Sequence, residues 1–290
     1  MRTRVIAVTL MLLAAVLLTG CASWLSSAVG RGPAAAPAGS GTVVAGTSAP
    51  LPPGPVTLIT LGDSLTAGQG DDTGVGYTGR LAETIGALPG REGTTLVNLG
   101  QSGWDSTMMV EGSSGIGSTD GQLPQAVETA RAAAGTAVLA TVLIGSNDLW
   151  YVYQNATEEP APATDEDAAL TTYRANLDRT VRELQEAGAV VVVGLPDDQS
   201  LRPISKDLTL LADLLPNITA EEVARMSALS QRFAQVAQEV AVAHGAGAVA
   251  TDAPFWTDPS SMAADGGHPN EQGYAALAAL WAPAITPLLG

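Results

Sequence analysis

The chain is poor in cysteine, lysine, histidine and phenylalanine, and each shortage removes a class of chemistry. Cys21 is the only cysteine, so the fold has no disulfide to lean on and must be held by its core. The two histidines, His244 and His268, cannot form an i, i+4 pair for zinc. The acidic pairs Asp71-Asp72 and Asp197-Asp198 read as solvated turns, so no metal is expected, and no motif asks for an organic cofactor. Lys206 is the only lysine, and Pro203 rather than serine stands three residues before it, which removes a Ser-x-x-Lys acylase. A G-x-S-x-G elbow is also missing. Basic residues are outnumbered, 13 Lys+Arg against 29 Asp+Glu, for a formal charge of -16. Such a surface repels phosphate backbones and anionic headgroups, which argues against a nucleic-acid partner.

Long apolar runs are equally scarce. The stretch from Val5 to Leu18 is shorter than the ~20 residues of a spanning helix. With Arg2 and Arg4 before it and Leu18-Thr19-Gly20-Cys21 after it, it reads as an export signal over residues 1–20, cut ahead of a lipid-bearing Cys21. Removing it takes two arginines and no acid, leaving 11 − 29 = −18. Residues 21–55 then form a tether of Ala, Gly, Pro, Ser and Thr without periodicity, expected to be disordered. Residues 56–290 fit one domain. The expected location is the outer face of the cell membrane, with attachment supplied by the lipid.

Within that domain, apolar or β-branched runs alternate with helical patterns. Strands are expected at Val56–Leu61, Thr95–Asn98, Thr136–Ile144, Ala189–Val193 and Ala246–Thr251. Helices are expected over Tyr77–Ala87, Gln122–Ala134, Asp165–Ala187, Thr219–His244 and Asn270–Leu289, with a capping box at Thr219 and Glu222. This alternation predicts a parallel sheet with right-handed crossovers, a three-layer α/β/α sandwich. Loops after successive parallel strands gather along one sheet edge, where distant residues can meet.

The first strand ends in Gly62-Asp63-Ser64, which puts a small hydroxyl at that edge and makes Ser64 the candidate nucleophile. It needs a base. His244 falls at a helix end, where capping explains it. His268 follows Asp265 across two glycines, so the carboxylate can fold back on the imidazole and leave its other nitrogen for Ser64. Gly103 and Asn147 sit in loops after strands and can supply a backbone N–H and an uncharged amide to an oxyanion.

Four blocks in order, Gly62-Asp63-Ser64-Leu65, Asn98 to Gly103, Gly145-Ser146-Asn147-Asp148 and Asp265 to His268, resemble those of the SGNH, or GDSL, hydrolases. The resemblance implies a flavodoxin-like sandwich with Ser64 as nucleophile, His268 as base and Asp265 as its orienter. It also implies an oxyanion hole from the backbone N–H groups of Ser64 and Gly103 and the side chain of Asn147. Gly267 departs from the apolar residue more usual in the family.

Trp104, Trp150, Tyr151 and Tyr153 cluster beside the proposed oxyanion donors, which reads either as an acyl or sugar contact wall, with Trp104, Trp150 and Tyr151 lining it, or as core packing. The segments Gln154–Asp167 and Asp197–Asn217 are long for their fold and are expected to cap the cleft. The function expected is a lipid-anchored serine ester hydrolase acting on a small-molecule, lipid or carbohydrate acyl ester. Two rivals stand beside it: an O-acyltransferase or deacetylase of envelope carbohydrate, and a non-catalytic binding lipoprotein.

Overall fold

A computed structural model describes residues 43–44, 50–113, 119–156, 160–215 and 218–290. The signal segment, Cys21 and most of the tether lie outside the described residues. Six strands make one sheet: β1 (Val43–Val44), β2 (Val56–Gly62), β3 (Thr95–Asn98), β4 (Ala137–Leu143), β5 (Val190–Leu195) and β6 (Gly247–Ala250). The helices are α1 (Ser64–Ala67), α2 (Gly76–Gly86), α3 (Ser106–Glu111), α4 (Gln122–Ala132), α5 (Ser146–Gln154) and α6 (Ala163–Glu186). They continue with α7 (Pro203–Lys206), α8 (Leu208–Leu214), α9 (Ala220–Ala243) and α10 (Glu271–Leu289).

The sheet runs β1-β6-β5-β4-β2-β3, and β2 to β6 are all parallel. Without β1 this is the flavodoxin order 2-1-3-4-5, whose switch point lies between β2 and β4, where such sheets open a crevice at the strands' carboxyl ends. That is where Gly62-Asp63-Ser64 and Gly145-Ser146-Asn147 leave the sheet.

Strand alternation builds the layers. Along β4, Val138, Ala140 and Val142 join the cluster packed by α3, α4, α5, α6 and α9, whereas Ala137, Leu139 and Leu143 face α2 and α10. Both faces are covered, which is why the strand reads as an unbroken apolar run. In β2, Leu58, Ile59 and Leu61 are wholly buried, each stabilising by about 1.5–3 kcal/mol over exposure. The reciprocal capping box at Thr219 and Glu222 starts α9.

The folded region reaches further toward the N-terminus than Val56. Val43 and Val44 pair antiparallel with Val249 and Ala248 at the sheet edge. Leu51 is buried, and its N–H donates to the Leu288 carbonyl at 2.7 Å. Arg91, also buried, donates to the carbonyls of Pro52 and Gly54 at 2.5 and 2.9 Å. Two valines and one leucine give no periodicity, so composition alone assigned this stretch to the tether. The acidic pairs need correction too: Asp71 and Asp197 are buried and held by Arg80 and Arg202 respectively, not solvated. Among the described residues, no helix is long and apolar enough to cross a membrane.

Candidate active site

Gly62 ends β2 in a conformation and a space that only glycine fits. Its φ is +154°, and an added Cβ would stand 2.1 Å from the Leu143 carbonyl oxygen. Gln122, on α4, clamps this residue by accepting from its N–H and donating to its carbonyl, each at 2.8 Å. Asp63 then caps α1 by accepting from the Leu65 N–H at 2.9 Å, and Ser64 opens that short helix. Burial raises the Asp63 carboxyl to about 6, partly offset by the Leu65 N–H and by the charge of Arg202.

Asn98, at the end of β3, holds α1 from the other side. Its amide donates to the Thr66 carbonyl at 2.8 Å, while its Oδ1 accepts from the Gly100 N–H at 3.0 Å. Gly100 lies so close to α1 that a Cβ there would meet the Ala67 nitrogen at 2.5 Å. The second block thus supports the turn that carries Ser64.

The turn before α10 brings His268 to Ser64. His268 Nε2 lies 2.8 Å from Ser64 Oγ, across 204 positions of sequence, and His268 Nδ1 lies 2.7 Å from Asp265 Oδ2. The other Asp265 oxygen accepts from the N–H groups of Gly267 and His268, at 2.9 and 3.0 Å. Partial burial works against its charge, but the bonds from the His268 side chain and these two N–H groups prevail and hold the carboxyl down at about 2. Asp265 is therefore charged at neutral pH. A charged carboxylate can accept an N–H from Nδ1, and in that tautomer the Nε2 lone pair faces the Ser64 hydroxyl. Gln69 approaches Nδ1 at 3.4 Å.

Asn147 is in the first turn of α5, and its amide donates to the Trp104 carbonyl at 2.8 Å, which fixes its orientation. Gly103 has φ +79°, and its carbonyl accepts the Tyr151 hydroxyl at 2.6 Å. Trp150 donates its indole N–H to Gln199 at 3.1 Å. A cleft of about 350 Å³ is lined by Ser64, His268 and Asp265 together with Asn147, Trp150 and Tyr151. Trp104 is buried beside it and contributes a carbonyl instead of a wall, and Tyr153 packs in the core. His244 caps α9 and meets Asp178 at 2.7 Å, away from this cleft.

The connection from β5 to α9 supplies Arg202, Ile204, Leu214 and Leu215 to the cleft, and Gln154 at the end of α5 adds to it. Arg202 is a functional residue without a local sequence signal. It is buried, donates to both Asp197 oxygens at 2.9 and 2.7 Å, lies 4.5 Å from the Trp256 ring centre and donates to the Gly267 carbonyl at 2.9 Å. No spacing rule links positions 197, 202 and 267; a buried Asp-Arg fork near the base is visible only in three dimensions. Among the described residues, no three His, Cys, Asp or Glu side chains converge to hold a metal ion.

A family model described as the GDSL-like Lipase/Acylhydrolase family matches residues 60–276. Among solved structures, the acetylxylan esterase Axe2 from Geobacillus stearothermophilus is similar, with a TM-score of 0.52 at 18% identity over 81% of this chain and 95% of that one. LAE5, an alpha/beta hydrolase enzyme from the metagenome of Lake Arreo, Spain, aligns with a TM-score of 0.52 at 20% identity over 81% and 96%. TesA aligns with a TM-score of 0.50 at 22% identity over 80% and 99%. These likenesses speak for the fold. No curated protein matches.

Proposed function

Since the chain belongs to the GDSL-like lipase/acylhydrolase family and is a carboxylic ester hydrolase, we propose that it cleaves acyl esters through an acyl-enzyme on Ser64. The observation that carries this reading is the pair of short contacts on one imidazole, Ser64 Oγ at 2.8 Å and Asp265 at 2.7 Å. His268 Nε2 takes the Ser64 proton as Oγ attacks the ester carbonyl, and the imidazolium that forms is stabilised by Asp265. The tetrahedral oxygen carries the new negative charge. The backbone N–H groups of Ser64 and Gly103 and the Asn147 amide are its donors, and the Trp104 carbonyl holds that amide ready. His268 returns its proton to the leaving alcohol, then draws a proton from water, whose oxygen attacks the acyl carbon and releases the acid.

We assign to the N-terminus an export signal and lipidation of Cys21, so that the domain works outside the cytoplasmic membrane. The support is the Leu18-Thr19-Gly20-Cys21 ending on a short apolar run. Trp150 and Tyr151 in the cleft favour a second reading, an O-acyltransferase or deacetylase of envelope carbohydrate, because aromatic faces suit sugar rings. An ester panel tests both. The purified protein should release acid from simple esters and Ser64→Ala should not; acyl transfer to an added sugar alcohol, with little acid released, would select the acyltransferase, and acid released from an acetylated sugar but not from simple esters the deacetylase.

A further inference from the structure

Four of the five large hydrophobic side chains that stand exposed among the described residues are Leu201, Leu208, Leu210 and Leu214, all in the connection from β5 to α9. The fifth, Val242, is on α9. Single exposed leucines are ordinary on a protein surface, but four of them in one connection point to a contact surface.

Helical spacing sorts the leucines of this segment. Leu211 and Leu215, four apart, are buried in the core cluster that also holds Ile204. Leu210 and Leu214, also four apart, form a second stripe, 47% and 55% exposed. Leu214 and Leu215 line the same cleft as Ser64 and His268, and so does Ile204. The Ile204 N–H donates to the Gly266 carbonyl at 3.0 Å, inside the turn between Asp265 and His268. Ile204, Leu214 and Leu215 thus give the cleft an apolar wall beside the turn of Asp265 and His268, and the exposed Leu210, one helical turn before Leu214, extends it on the surface.

We propose that this wall is an acyl subsite: the alkyl chain of the substrate's acid part lies along Ile204, Leu215 and Leu214 and leaves the cleft over Leu210. The substrate class is then an ester of a medium or long straight-chain acid, not an acetate. The occupant follows from continuity, since the stripe opens into the cleft that holds the nucleophile, and an alkyl chain is the part of an ester that gains by covering leucine and isoleucine side chains. The name "acyl" rests on the Ser64 mechanism proposed above; the affinity of the wall for an alkyl chain does not.

Two measurements keep those ideas apart. The first is binding of decanoate to full-length Ser64→Ala protein, by calorimetry. Saturable binding is expected, weakened about tenfold in the added double variant Leu210→Gln/Leu214→Gln. The added variant Val242→Gln should bind as its parent does. The second uses the active protein: kcat/KM for p-nitrophenyl octanoate should exceed that for the acetate, and the ratio should fall about tenfold in Leu210→Gln/Leu214→Gln. Both leucines are largely exposed, so the variant should fold. Ester hydrolysis that is absent in the wild-type protein, or that persists in Ser64→Ala, with decanoate binding as expected, would support the alkyl site and sink the Ser64 mechanism. Decanoate binding that is absent, or indifferent to the leucines, overturns the subsite. So does a wild-type preference for acetate. Leucine-dependent binding to neutral phosphatidylcholine vesicles, or leucine-dependent dimerisation in sedimentation, without decanoate binding would reassign the stripe to a membrane or a second copy.

Discussion

Arg202 donates to the carbonyl of Gly267 at 2.9 Å, one residue before His268, while its other nitrogens grip both oxygens of Asp197. The connection after β5 is thereby fastened to the turn that carries His268. A lysine in this place keeps the charge but cannot span both partners. Arg202→Lys should lower kcat about ten- to a hundredfold with KM little changed, because a misplaced base weakens the reaction more than binding. Arg202→Met should cost about 3–5 kcal/mol in urea unfolding, since it leaves Asp197 buried and unpaired. An Arg202→Lys enzyme with wild-type kcat would show that the fork is structural alone.

Asn147 should bond the tetrahedral oxygen more strongly than the ground-state carbonyl. Its replacement by alanine is expected to cost about 10²–10³ in kcat with a much smaller change in KM. The loss should not add to that of Ser64→Ala, which leaves no acyl intermediate to stabilise. Steady-state kinetics of the two variants and their combination decide this, and an undiminished kcat in folded Asn147→Ala removes the residue from the oxyanion hole.

Stability should depend on pH through Asp148. Burial holds its carboxyl up at about 7, outweighing the hydrogen bonds from Ser106. In the unfolded chain the same group ionises near 3.9. Between about pH 4 and 7 the folded state keeps a proton that the unfolded state has lost, so this residue's contribution falls as pH rises. Asp148→Asn has no such proton. Its Tm relative to wild type should climb from pH 4 to pH 7; a constant difference across that range would contradict the raised carboxyl.

Cys21→Ser should abolish lipidation. Membrane fractionation with intact mass measurement checks it: the wild type should partition with membranes and carry lipid mass, and the variant should do neither. A variant retained in membranes with the same lipid mass would be incompatible with Cys21 as the acceptor.

Much of the sheet and the long helices were legible because periodicity reports burial: the unbroken apolar run of β4 is what a strand covered on both faces must look like. His268 could be named because the chain has only two histidines, Ser64 because it follows a strand that ends in Gly62-Asp63, and Asp265 because it stands three residues before His268. What escaped was held by tertiary contacts. The Gln122 clamp on Gly62 spans 60 positions and the Arg202 bond to Gly267 spans 65, and neither has a local pattern. Closeness to Gly103 in sequence suggests a cleft wall for Trp104, but its side chain is buried and its carbonyl orients Asn147. The edge strand at Val43–Val44 is too short to show alternation, so its pairing with β6 could not be foreseen.

The central claim is a covalent intermediate on Ser64, and the most direct test is to trap it. Wild-type protein incubated with a serine-directed alkyl phosphonate should gain one phosphonyl mass, located by peptide mass spectrometry on Ser64, and lose ester hydrolysis in step with labelling. Labelling should slow by orders of magnitude in His268→Ala, because a hydroxyl without its base is a weak nucleophile. Unlabelled Ser64 in an enzyme that still hydrolyses esters, or labelling on another residue that tracks the loss of activity, would contradict the account.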